Sequence, residues 1–165
     1  MANFNNYKEI LNAVISQNIT TIDEFLKRTQ IKCTELSNFD LEQYWIKNQV
    51  EATYASRERL IIVRADLMPL VKNKAILHES GHILLGHVGN YLLSSTPVSG
   101  SNIEHSANMV SYVLLLWFAY CEHSDEITQT FLTYDELAVA YEIPADDIDY
   151  LKDAFYLVHK KITKA

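Results

Sequence analysis

The stretch VEATYASRERLIIVRADLMPLVKNKAILHESGHILLGH, Val50 to His87, changes its hydrophobic period once, and that change decides the fold. Its first half reads as two short strands around the polar turn Ala55 to Glu58, which predicts an antiparallel hairpin. Pro69 breaks this pattern. From about Val71 the spacing is helical, with Ile76, Leu77, Leu84 and Leu85 forming an apolar back face. The helix should run through HESGHILLGH and close near Gly86 or Gly89, where glycine accepts the left-handed conformation.

The flanking sequence is helical in pattern. Ile10, Leu11, Val14 and Ile15 stripe a helix from Tyr7 to about Ser16, and Thr21 with Glu24 forms a capping box for a second one, Ile22 to Thr29. Leu41, Tyr44 and Trp45 again fit helical spacing. YLLSSTPVSGSN, residues 91–102, is a loop by composition, and a long central helix follows from Ile103 to about Cys121. A second capping box, Thr133 with Glu136, opens YDELAVAYE, and Pro144 heads a final helix with aspartates at its start and lysines at its end. The expected fold is α+β and mainly helical, with a small antiparallel sheet or hairpin beside the HESGH helix. Residues 1–165 read as a single domain, with 1–45 and 131–165 as helical extensions.

Composition narrows the function classes. A net charge of −7 and a pI near 5.3 argue against affinity won by neutralising phosphates. The tail makes the same point: Asp135, Glu136, Glu142, Asp146, Asp147, Asp149 and Asp153 surround the single Lys152, so direct nucleic-acid binding is not expected there. The apolar run Met109 to Cys121 is shorter than the ~20 residues that span a bilayer. MANFNNYKEI lacks the charged-then-apolar pattern of a secretion signal, so a cytoplasmic location is expected. Cys33 and Cys121 are far apart, without Cys-x-x-Cys spacing, and read as small apolar fillers.

HESGH carries the chemistry. His78 and His82 are four residues apart, which on a helix stacks their side chains ~5–6 Å apart at Cβ, close enough for two imidazoles to share one zinc ion. Glu79 stands beside them, placed to deprotonate a metal-bound water, as in the HExxH arrangement of metalloproteases. Gly81 costs about 1 kcal/mol relative to alanine inside a helix, so another helix or the substrate should approach closely there. A catalytic zinc keeps three protein ligands. His87 lies five residues past His82, about 140° round an ideal helix, and should point away from the metal. Glu104, at the head of an antiparallel neighbour, is the better third ligand; Ala107, Asn108 and Ser111 on its side are small enough to let that helix approach Gly81. His105 is the substitute, but adjacent helical residues diverge by ~100°, so the two should not bind together.

HESGHILLGH, followed by E-x-x-A-N and a leucine-rich helix, resembles the ImmA/IrrE family of zinc metallopeptidases, whose pattern is HE-x-GH-x-x-LGH and then E-x-E-A-N-x-F-A-x-x-LL-x-P. His78, Glu79, Gly81, His82, Leu85, Gly86 and His87 match it. With the hairpin upstream and the tail TYDELAVAYEIPADDIDYL, the similarity extends over roughly two-thirds of the chain. Ser106, Val110, Ser111, Trp117 and Phe118 depart from the pattern, at positions that bear on packing and the substrate wall.

The resemblance implies a zincin-like minimal metallopeptidase fold. It implies one Zn2+ held by His78, His82 and Glu104, with Glu79 as general base. It also implies an endopeptidase that cleaves a partner helix-turn-helix repressor. Tyr112, His105 and His123 are candidates for stabilising the oxyanion. The strand RLIIVR, Arg59 to Arg64, is either a core strand or the edge on which an extended substrate pairs. A zinc-stabilised antirepressor that binds without cutting, and a toxin-associated peptidase, are the alternative functions.

Overall fold

A computed structural model describes residues 4–37, 51–87, 101–122, 134–140 and 143–163. The helical reading of Leu41 to Trp45, most of the loop 91–102, the cap residue Thr133 and His123 lie outside these residues.

Helix α1 (Tyr7–Ser16) starts where the Asn6 side chain accepts hydrogen bonds from the Lys8 and Glu9 backbone N–H groups, and it buries Ile10, Leu11 and Val14. Helix α2 (Ile22–Thr29) starts at Thr21, whose hydroxyl accepts from the Glu24 N–H at 3.2 Å, as the capping box predicts. The return bond of Glu24 goes to the Thr20 N–H, one residue earlier than a full box requires.

Among the described residues three strands follow: β1 (Lys32–Leu36), β2 (Ala52–Ala55) and β3 (Leu60–Arg64), in the spatial order β1-β3-β2. β2 and β3 form the expected antiparallel hairpin, with Ala55 opposite Leu60. β1 was not expected. It pairs with β3 in parallel, Lys32 opposite Leu60 through Leu36 opposite Arg64, so the sheet is mixed rather than antiparallel. KCTEL leaves Lys32, Thr34 and Glu35 exposed, and a short edge strand of this kind carries little hydrophobic alternation to read. Arg59 fastens it: its guanidinium donates to the Thr29 carbonyl, and its own carbonyl accepts from the Lys32 N–H at 2.8 Å. Because β3 is paired on both sides, RLIIVR cannot take an extended substrate as a further strand.

Helix α3 (Pro69–Leu84) begins two residues before the expected Val71. Pro69 occupies the first turn, where its fixed φ suits the helix and its missing N–H has no intrahelical partner to lose. Helix α4 (Ser101–Glu122) runs through the centre, with Val110, Val113 and Leu114 wholly buried. Among the described residues no helix is long and apolar enough to cross a membrane. The Trp117 indole donates to the Ile19 carbonyl at 2.8 Å and ties α4 to the turn after α1.

The chain ends in α5 (Tyr134–Ala140), a 3-10 turn (Ala145–Asp147) and α6 (Ile148–Ile162), which buries Leu151, Ala154 and Val158. α1, α2, the sheet, α3, α4 and α6 all contribute side chains to one hydrophobic core. The architecture is α+β: mainly helical, with a small mixed sheet beside α3.

Candidate metal centre

α3 and α4 lie side by side and run in opposite directions. His78 and His82 meet Glu104, Gly81 meets Ala107 and Val110, and the Lys74 ammonium lies 5.4 Å from the Tyr112 ring, so residue numbers fall along one helix as they rise along the other. The close approach depends on Gly81. A methyl group there would lie 3.0 Å from Val110 Cβ and 3.2 Å from Ala107 Cα, so the neighbour anticipated at this glycine is α4.

The result is a three-residue constellation. His78, His82 and Glu104 each offer one ligand atom, all within 4.8 Å of one another. The two Nε2 atoms are 3.1 Å apart, His78 Nε2 is 3.4 Å from Glu104 Oε2, and His82 Nε2 is 3.7 Å from Glu104 Oε1. Three corners of a tetrahedron with metal–ligand bonds of ~2.0–2.1 Å lie about 3.3 Å apart, so the donor set fits a divalent ion in both chemistry and spacing. The His82 side chain is 3% exposed and that of Glu104 is 41% exposed, so the centre opens to solvent on the Glu104 side. Of the sequence candidates, His105 is exposed, with its ring 5.3 Å from that of Tyr150, and is not part of the constellation.

The electrostatics divide the two histidines. Burial opposes charge on His78, but the Glu104 hydrogen bond, the nearby Glu79 and Glu104 charges and an Asn108 hydrogen bond outweigh it and raise its pKa. Burial pushes His82 down to about 4; the His78 and His87 charges add to the effect, and Glu104 opposes it. Of the pair, His78 is therefore the one that takes up a proton more readily. The His78 hydrogen bond holds Glu104 below the usual carboxylate range, against burial. Glu79 behaves in the opposite way: burial raises its carboxyl to about 8, with His78 opposing and Glu104 adding. A buried carboxyl with a raised pKa beside a candidate metal site is a candidate for proton transfer.

His87 is placed by a turn, not by the helix. Helical geometry would carry it away from the metal face, but α3 stops at Leu84, and Gly86, with φ 71°, turns the chain back. The His87 N–H donates to the His82 carbonyl at 2.9 Å, and its Nδ1 lies 3.0 Å from His82 Nδ1. His87 thus approaches the ring edge remote from the ligand atoms. It stands outside the group of His78, His82 and Glu104, yet the turn at Gly86 brings it against His82, a contact that helical spacing does not give.

Two further residues escaped the sequence reading. Tyr54 of β2 stacks on His82, with centroids 5.1 Å apart and planes 7° from parallel, and its hydroxyl donates to the His87 carbonyl at 3.3 Å. Asn108, anticipated only as a small residue, lies beside His78 and favours its charged form. Its position four residues after Glu104 was the available signal, since i and i+4 share a helix face.

Tyr112, an oxyanion candidate, is fully buried, and its hydroxyl donates to Asp147 Oδ2 at 2.7 Å. The same oxygen accepts from Lys74 Nζ at 2.5 Å. Tyr112 therefore anchors the C-terminal segment and is committed to that bond.

No protein-family model matches the chain, and comparison with curated proteins and with solved structures found no match.

Proposed function

We propose that this chain is a zinc-dependent endopeptidase of the ImmA/IrrE type, built on a zincin-like fold, that inactivates a partner helix-turn-helix repressor in the cytoplasm by limited cleavage. The observation that carries the reading is the convergence of His78, His82 and Glu104 from two helices at spacings suited to one tetrahedral ion, with Glu79 adjacent to a ligand.

His78, His82 and Glu104 would hold the zinc, which when bound supplies a Lewis acid for a carbonyl oxygen and an acidified water. Glu79 accepts the proton of the attacking water on a carboxylate oxygen and returns it to the leaving amine nitrogen. Burial of Glu79 supports this role, because it raises the carboxyl's affinity for a proton and so makes the carboxylate a stronger base. The exposed side of Glu104 leaves the centre open for a peptide to approach.

The net charge of −7 supports a basic protein partner such as a DNA-binding repressor, since complementary charge speeds and orients encounter. Unpaired Cys33 and Cys121 agree with a reducing compartment. The test is incubation with candidate helix-turn-helix repressors, with and without a chelator, followed by mass spectrometry. One pair of fragments, absent with chelator and absent with Glu79→Gln, is expected. Antirepression that survives Glu79→Gln would replace cleavage by binding alone.

A further inference from the structure

We propose that His87 is a positioning residue for the metal centre: it accepts the Nδ1 proton of His82 and so holds that ring in the one tautomer that can bind the ion. The proposal rests on the metal reading above.

Geometry assigns the two edges of the His82 ring to different partners. Nε2 faces His78 Nε2 at 3.1 Å and Glu104 Oε1 at 3.7 Å, whereas Nδ1 faces only His87 Nδ1, at 3.0 Å, among the contacts found for the described residues. A neutral imidazole has one proton to place. If Nε2 is to offer its lone pair to a cation, the proton sits on Nδ1 and needs an acceptor, because His82 is only 2% exposed and water cannot substitute freely. His87 Nδ1 is that acceptor, which places the proton of His87 on its own Nε2.

The backbone is built to deliver this contact. An ideal helix would set residue 87 about 140° from residue 82. Instead α3 ends at Leu84, Gly86 takes φ 71°, and the His87 N–H closes on the His82 carbonyl at 2.9 Å. The Tyr54 hydroxyl then holds the His87 carbonyl at 3.3 Å, while the Tyr54 ring lies flat against His82. Residues 54, 82 and 87 thus form a closed unit behind the ligand atoms. Partners of this outer kind fix tautomer and ring orientation, and their loss typically weakens metal binding roughly 10–100-fold.

The experiment compares zinc dissociation constants, by chelator competition, for the wild-type chain, His87→Asn and His87→Leu, with thermal unfolding of the metal-free proteins alongside. Asparagine and leucine share a shape, but only asparagine presents an oxygen near the position of Nδ1. His87→Leu should bind zinc roughly 10–100-fold more weakly, and His87→Asn should recover most of that loss, with the two variants unfolding at similar temperatures. Equal affinity for wild type and His87→Leu would overturn the proposal while leaving the metal reading intact. Equal weakness of the two variants would also overturn it, since the acceptor would then not matter. A wild-type chain that binds no zinc would overturn the metal reading and this proposal together.

Discussion

Gly81 of α3 lies so close to Ala107 of α4 that a methyl group at residue 81 would stand 3.2 Å from Ala107 Cα and 3.3 Å from the Ala107 carbonyl oxygen. Both atoms belong to backbone, and the third neighbour, Val110 Cβ at 3.0 Å, is equally unable to swing aside. Gly81→Ala gains about 1 kcal/mol of helix propensity, but the overpacking should cost ~1–3 kcal/mol. Net destabilisation in urea is expected. Zinc affinity should fall as well, because α4 carries Glu104 and would be displaced. A more stable Gly81→Ala protein would show that the helices are not in contact as described.

Asp147 gathers two donors from two helices, Lys74 Nζ from α3 and the Tyr112 hydroxyl from α4. Asp147→Ala leaves both without an acceptor in a largely buried setting and should destabilise by roughly 2–4 kcal/mol. Asp147→Asn keeps an acceptor for Tyr112 and should cost less. Burial, reinforced by the Asp147 hydrogen bond and charge, raises the Tyr112 pKa, so the phenol stays neutral and remains the donor. Chemical denaturation of the two variants gives the ordering, and equal losses would mean that only the Lys74 pair matters.

The cysteines should be unreactive. Burial raises the Cys33 thiol to about 11, with the Glu35 charge adding and Lys72 opposing, and burial alone raises Cys121 to about 11. The thiolate is the nucleophile, so at pH 7.5 each should alkylate roughly 10²-fold or more slowly than an ordinary thiol of pKa ~8.5. A raised acid pKa means that the rate climbs about tenfold per pH unit and keeps climbing past pH 9, where an ordinary thiol levels off. Iodoacetamide labelling of the native chain from pH 7 to 10 reads this directly. Labelling that levels off below pH 9 would contradict the raised pKa of both partly buried thiols.

Glu79→Gln separates binding from catalysis. The amide keeps the shape but cannot accept a proton, so peptide hydrolysis should fall by roughly 10²–10⁴-fold while zinc content is unchanged. Loss of the metal in this variant would instead make Glu79 a ligand.

Much of the site was legible because it is local. His78, Glu79 and His82 lie within five residues on a helix whose existence follows from periodicity, and Glu104 followed from the need for a third ligand on a facing helix. Contacts created by chain reversal were not legible. His87 reaches His82 only because α3 stops and Gly86 turns, and Tyr54 reaches the same ring through the packing of β2 on α3. β1 was missed for a related reason, since its partner β3 lies some thirty residues away and the strand itself is mostly exposed. Asp147 reads as one more surface aspartate of an acidic tail until Lys74 and Tyr112 are seen to converge on it.

The most direct measurement is the zinc content and affinity of the purified chain after removal of loosely held metal, together with its His78→Ala, His82→Ala and Glu104→Ala variants. One zinc per wild-type chain is expected, with binding abolished by either histidine substitution and strongly weakened by Glu104→Ala. A wild-type chain that binds no zinc, or a Glu104→Ala variant that binds it as tightly as wild type, would contradict a metal centre assembled from α3 and α4.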